Sequence, residues 1–405
     1  MKSYKKIKLA ALFMAVIMAV VTGCKYDVAE PQYYQDHGTS PTPVITSVVP
    51  AGGAAPGYNT ITINGQNFET VPDVNGVYFG NVAVEVLSKS NTSLVVRRPN
   101  LVTDACNILV VPSKTLVSVK HGPYSVDNVF TEFDSFLENV TLATVAVDAA
   151  ENVYILESAT RNIIKVTPSG EKTVVGTTTR APYDVRFGPG GKMYFIEHNR
   201  SIDVVDLTTG TTSEWIKLPS GKAVRYGDFD AAGNFYCGGV KSGLVVVDPS
   251  LAVTTMDTYT KDEIMGVRVF NGKLYVAVEI ATPDAEHPKL AIWEHPLDGS
   301  TVGEGVVYSD LSSNEDFAER AIRSITFSAD GKLIIATDAV DPLLVVQLGG
   351  GNADYFYKDI LPTNCKHMYW GSGNFLYLII GDTNAGVDWK PYKVDMGGLS
   401  APYYQ

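Results

Sequence analysis

Cysteine is scarce in this chain. Its 405 residues hold four, at positions 24, 106, 237 and 365, and no two stand at the short spacing of a zinc or dithiol motif. Also missing are His-Glu-x-x-His, Gly-x-Ser-x-Gly and any phosphate-binding glycine loop, which excludes the common single-segment catalytic motifs. Basic residues are few. The 32 Lys and Arg face 44 Asp and Glu, and the resulting charge of −12 would be repelled by phosphate backbones, so no nucleic-acid partner is expected. The uncharged apolar stretch Leu9–Gly23 is fifteen residues long, short of the ~20 that a spanning helix needs. What is present is strand material: 22 Tyr and 15 Phe beside Val-rich runs, in a composition that disfavours both disorder and a helical bundle. A chain this long is expected to hold more than one domain.

The first residues read as an export signal. Lys2, Lys5, Lys6 and Lys8 precede the apolar stretch, which ends in Val21-Thr22-Gly23-Cys24. Small residues directly before a cysteine resemble the lipobox of bacterial lipoproteins. That resemblance implies cleavage of residues 1–23, lipidation of Cys24, and attachment to a membrane through the lipid anchor only. Residues 24–42 lack apolar periodicity and contain Pro, Gly, Ser and Asp, so they are expected to form a flexible tether. Asp27 and Glu30 close behind the cysteine resemble the surface-export signal of Bacteroidetes-type lipoproteins, which implies an outer-membrane protein exposed at the cell surface. The odd set Cys106, Cys237 and Cys365 is read as buried thiols acting as small apolar residues.

Residues 43–126 carry short alternating strands. Thr60-Ile-Thr-Ile-Asn-Gly65 alternates polar and apolar side chains, as a half-buried strand does, and Asn64-Gly65 and Asn75-Gly76 are turn signals. Pro43-Val44-Ile45, Ser47-Val48-Val49-Pro50, Thr62–Phe68, Val77-Tyr78-Phe79-Gly80 and Thr92–Val96 resemble the IPT/TIG immunoglobulin-like domain. In surface proteins that resemblance implies a spacer.

From residue 127 to 405 one pattern returns six times. Ala143–Val147, Tyr183–Phe187, Arg225–Phe229, Met265–Val269, Arg323–Phe327 and Cys365–Tyr369 are alike, and their last residues stand 40, 42, 40, 58 and 42 apart. Each precedes a turn such as Asp230-Ala-Ala-Gly-Asn234, then a second strand such as Val153–Leu156, then a third such as Ile163–Val166. A period near 40 with several strands per unit predicts a β-propeller, because each small sheet can cover its faces only against neighbours in a closed ring. The pattern is similar to NHL-type six-bladed propellers, best in Val145–Asp148, Glu151–Glu157 and Asn162–Val166. The expected fold class is all-β: an immunoglobulin-like IPT/TIG sandwich followed by a six-bladed NHL-like propeller. Closure is expected from Val126–Phe133 pairing with a final strand near Tyr403-Tyr404.

In such a ring the starts of the first strands and the ends of the second strands share one face. Those positions hold Tyr183, Arg225, Arg323 and Lys366-His367, and the carboxylates Glu157, Glu197, Glu279, Asp338 and Asp382. Trp389 is expected in a loop, Asp382–Lys390, on the same face and is the best stacking platform for a sugar. Trp370, beside His367, is expected either to line the channel or to pack in the core. The enlarged fourth repeat places Ala281–Lys289 with His287 over this face.

Three readings fit the ring. Carboxylates at strand ends can be architectural, accepting turn N–H groups or pairing with Arg. Arg forks, carboxylates and an indole suit sugar hydroxyls and the apolar face of a sugar ring. Several oxygens around a funnel could instead hold calcium, as in six-bladed lactonases of the regucalcin type, with Asn199 and Asn384 as further ligands. The order of anchor, tether, sandwich and propeller resembles the surface glycan-binding lipoproteins of polysaccharide uptake systems. That implies a non-catalytic binder of polysaccharide or oligosaccharide beside an outer-membrane transporter, with no cofactor. The alternatives are a propeller hydrolase or lyase, with or without calcium, and a protein-binding or adhesion module.

Overall fold

The computed structural model describes residues 41–113, 118–133 and 141–404; the expected signal peptide, Cys24 and all but the end of the expected tether lie outside them. Among the described residues no helix is long and apolar enough to cross a membrane. The structure is all-β: two packed sheets, then six sheets in a ring.

The two sheets form the immunoglobulin-like sandwich. One runs Val44–Val49, Thr60–Gln66, Ser93–Arg97, Val86–Lys89; the other runs Gly53–Ala54, Val119–Val126, Thr103–Val110, Val77–Phe79, Val82–Val84. Period-two alternation drives the packing, since Ile61, Ile63, Leu94 and Val96 from one sheet meet Val77, Phe79, Ile108 and Val110 from the other, all fully buried.

Six inner strands surround the propeller channel: Leu142–Val147, Asp184–Gly188, Tyr226–Phe229, Glu263–Phe270, Ile322–Phe327 and Cys365–Trp370. Their blades are antiparallel meanders, and the turn after the inner strand has a repeated construction. Asp148 accepts from the backbone N–H of Ala150 and Asn152 (2.9 Å each), from the Asn152 amide (2.8 Å) and from the Tyr154 hydroxyl (2.9 Å). Asp230 does the same for Ala232, Asn234 and Tyr236. One carboxylate thus fixes the turn and aims the next strand. We call this end of the ring the lower end.

Closure differs from the expectation. The outer strand of blade 6 is Phe130–Glu132, which pairs antiparallel with Val387–Asp395, Phe130 opposite Val394, rather than with the C-terminal tail. Phe130 also stacks on Tyr392 at 4.6 Å. The tail is drawn elsewhere because the channel offers better partners. Ser400 bridges to Ser328, Ala401 N–H donates to the Phe327 carbonyl (2.8 Å), and Arg268 donates to the carbonyls of Ala401 (3.2 Å) and Pro402 (2.9 Å). Tyr403 then stacks on Tyr369 at 4.3 Å and shares a hydrogen bond with Thr326 (2.8 Å), so the tail covers the lower mouth.

The sandwich is docked on the flank of blades 5 and 6. Arg97 grips Asp354 with two parallel bonds (2.9 and 2.7 Å), and Asn59 donates to the Tyr355 carbonyl (2.6 Å) while accepting from Tyr357 N–H (2.9 Å). Buried Arg98 donates to the carbonyls of Ala55, Tyr58 and Asp127 and lies over the Tyr357 ring at 5.7 Å. These bonds make the sandwich part of the propeller's flank, where a bare spacer would stand clear of it.

Candidate functional site

The six inner strands share one register once their last residues are matched by pairing. Val147 faces Val153, Phe187 faces Met193, Phe229 faces Phe235, Phe327 faces Leu333, Val269 faces Leu274 across a turn one residue shorter, and in blade 6 it is Trp370 that faces Leu376. The sixth repeat is therefore offset by one residue from the expected alignment on Tyr369. An irregularity between Cys365 and His367 hides the shift. One residue of slip exchanges the two faces of a strand. It turns His367 and Tyr369 into the channel and puts Trp370 between blades, buried at the lower end, where its indole N–H donates to the Gly373 carbonyl (3.1 Å).

The channel is filled by a charged network that the sequence reading did not assemble. Asp184, Arg186, Asp228, Arg268 and His367 are each no more than 2% exposed. Arg186 contacts Asp184 and reaches Asp228 (3.5 Å), Arg268 pairs with Asp228 (2.7 Å), and His367 Nε2 meets Asp184 at 3.0 Å. Gly227 N–H and Val269 N–H donate to the two carboxylates. Burial alone would raise Asp184, but Arg186, His367 and the Gly227 N–H outweigh it and hold its carboxyl below the usual range. Burial pulls His367 below the ordinary histidine value against the pull of Asp184. Two carboxylates thus balance two guanidiniums around a neutral imidazole. The visible signal was charge in alternate positions of three inner strands: 184 and 186, 228, and 268.

Above this layer lies the upper mouth. Tyr183 is exposed; His198 meets it edge-on at 5.3 Å, and the Arg225 guanidinium lies 4.9 Å over its ring while donating to Glu263 (2.6 Å). Nε of Arg225 is buried with no hydrogen-bond partner. Arg323 donates to Asp338 (2.9 Å). Lys366 donates to the Leu142 carbonyl (2.7 Å), and its ammonium sits 5.2 Å over Trp389. Tyr226 lies buried among these groups, and burial pushes its hydroxyl up to about 12 while Arg323, Arg225 and Glu263 act on it electrostatically. His198, Glu263 and Tyr226 were not among the expected site residues.

The remaining acids are engaged locally. Glu157 accepts from the Thr160 hydroxyl, and Asp382 accepts from Asn384 N–H (3.0 Å) and Ala385 N–H (3.3 Å). Glu197 accepts from the Thr179 hydroxyl (3.1 Å to each oxygen) and Arg180 N–H (3.2 Å). Burial, and then the Asp203 carboxylate, push Glu197 up to about 6 against those bonds. Glu279 pairs across strands with Glu263. Trp389 is a strand residue in Val387–Asp395, joined to Phe375–Asp382 by a short turn, so the loop expected around it is much smaller. The 281–289 segment turns back on its own blade, where His287 stacks on Trp293 at 5.6 Å.

Among the described residues no three His, Cys, Asp or Glu side chains stand close enough to hold a metal. Asn199 accepts from Ser201 N–H, and Asn384 lies exposed in the blade 6 turn, so neither joins the acids. These residues do not fit a calcium centre. At the lower end two clefts of about 600 and 530 Å³ flank the tail, the first lined by Phe187, Leu207 and Tyr404.

Residues 43–132 match the IPT/TIG domain family. No curated protein matches the chain in sequence. Among solved structures, the chain is similar to an auxiliary nutrient binding protein from Bacteroides thetaiotaomicron VPI-5482, at 10% identity and a TM-score of 0.51, over 88% of this chain and 98% of that one. It is similar also to a luciferin-regenerating enzyme, at 12% identity and a TM-score of 0.52, over 68% of this chain and 98% of that one. At such identities the likeness is one of fold alone.

Proposed function

We propose that the protein is a non-catalytic, cell-surface glycan-binding lipoprotein, anchored at the outer membrane through Cys24, that captures polysaccharide for uptake at the upper mouth of its propeller. The observation that carries this reading is the composition of that mouth. An exposed tyrosine, an indole and three bases surround a channel whose interior is closed by its own ion pairs and, below, by the tail. Aromatic faces suit the apolar side of a sugar ring, and forked donors suit its hydroxyls. Tethering would raise the concentration of captured glycan near a transporter. The nutrient-binding role named for the Bacteroides structure supports the reading by analogy of architecture alone. A glycan array probed with purified protein tests it: retention on at least one polysaccharide is expected, and folded protein that binds none would sink it.

A second reading, a propeller hydrolase or lyase, is favoured by the His367–Asp184 pair, the arrangement of an oriented base. Both groups are buried beneath the mouth. Release of reducing ends or unsaturated products from a retained glycan would establish it.

A further inference from the structure

Two of the three bases around the upper mouth own a carboxylate, and the third does not. Arg225 has Glu263 and Arg323 has Asp338, whereas Lys366 has only the Leu142 carbonyl and the face of Trp389. Among the described residues no carboxylate forms an ion pair with Lys366. An ammonium carries three N–H donors, of which one is used here; most of the five donors of Arg323 are likewise free of partners. Lys366 is also partly buried, and the positive charge of Arg323 acts on it. A half-desolvated cation beside a second cation is unfavourable unless an anion joins them. In a chain of net charge −12, carboxylates are not in short supply, yet among the described residues none is paired with Lys366.

We propose that this mouth recognises an anionic sugar, whose carboxylate or sulfate ester is held between Lys366 and Arg323 while its ring rests beside Trp389. The inference rests on the glycan-binding reading and narrows it to acidic polysaccharides. The anion completes the ion pairing of the mouth, since it receives the unused donors of both bases and screens one from the other. Neutral sugars leave that pair of charges as they stand.

Native affinity electrophoresis of the purified full-length protein tests this, in gels containing polygalacturonate, alginate or dextran sulfate as acidic glycans and dextran, starch or xylan as neutral ones. Retardation in an acidic gel is expected, weakened by about tenfold or more in Lys366→Met. Lys366→Arg should keep it, and Lys120→Met, on an exposed strand of the sandwich, should leave it unchanged. Retardation confined to the uronate gels assigns a carboxylate; confinement to dextran sulfate assigns a sulfate ester. Retardation by neutral glycans alone, or acidic binding that Lys366→Met does not weaken, overturns the proposal and leaves carbohydrate binding intact. Retardation in no gel overturns the proposal and counts against the glycan reading as well.

Discussion

The guanidinium of Arg268 stands 3.9 Å from the centroid of the Tyr403 ring, and through Asp228 the same arginine belongs to the charged layer in the channel. The C-terminal tail is thus bonded to the propeller's centre. Tyr403→Ala removes that cation–π contact, the stacking on Tyr369 and the bond to Thr326, and should cost about 2 kcal/mol. A lower urea midpoint with unchanged slope would show it; an unchanged midpoint would mean that the tail is not part of the cooperative unit.

Falling pH should destabilise the protein through its buried histidines before most of its carboxylates titrate. Burial lowers His367, and it lowers His295 despite the Gly303 carbonyl. A histidine with a depressed native pKa is neutral when folded and protonates on unfolding. Its full contribution is therefore present above about pH 6.5 and is lost as pH falls toward the native value, at about 1.4 kcal/mol per pH unit for each group. Asp184, also depressed, adds its loss only below the usual carboxylate range. Urea midpoints at pH 7.5 and 5.5 measure the drop, and His367→Gln should shrink it; a variant with the same drop would contradict the assignment.

Glu197 has the opposite sign. Its native value of about 6 means that folding favours the protonated form, so its contribution is complete below about pH 4.5 and disappears as pH rises through 6. Glu197→Gln should therefore stabilise the protein by about 1–2 kcal/mol at pH 7.5 and by little at pH 4.5. Thermal unfolding at both pH values decides the matter.

Tyr183 is 42% exposed, so its removal should leave the fold nearly untouched, within about 0.5 kcal/mol. Tyr183→Ala should nevertheless weaken binding of any retained glycan severalfold, because the ring and the Arg225 guanidinium above it form one wall of the mouth. Titration calorimetry with the retained glycan would read this directly. Unchanged affinity would move the binding surface away from blades 2 and 3.

Arg97→Ala should loosen the sandwich from the propeller, since it removes the fork on Asp354 and frees Glu85 to its remaining partner Lys358. Small-angle scattering should then report a larger radius of gyration. The parent radius would mean that the contacts left, among them Glu85 with Lys358 and Asn59 and Arg98 with Tyr357, are enough to hold the interface.

The sequence revealed blades wherever local chemistry repeats. Asp148 and Asp230 with their following Asn and Tyr announce the turn, and Val-rich strands flank it. The register of blade 6 was not legible, because a single irregularity beside Cys365 moves Trp370 from one face to the other without changing the composition of the strand. The path of Ser400–Tyr404 was equally hidden: it has no periodicity, and its partners Arg268, Thr326 and Tyr369 come from three different blades. Charges such as Asp184 and Arg186 read as ordinary strand residues until other blades bring His367 and Asp228 to them.

The pairing of Phe130 with Val394 has a consequence for how the chain is made. A ribosome delivers the outermost strand of the sixth blade before any other part of the ring, and its mate emerges almost last. The sandwich can mature early, whereas each unfinished propeller presents a raw strand edge until synthesis is complete. The circle therefore cannot close until nearly the whole polypeptide has been made.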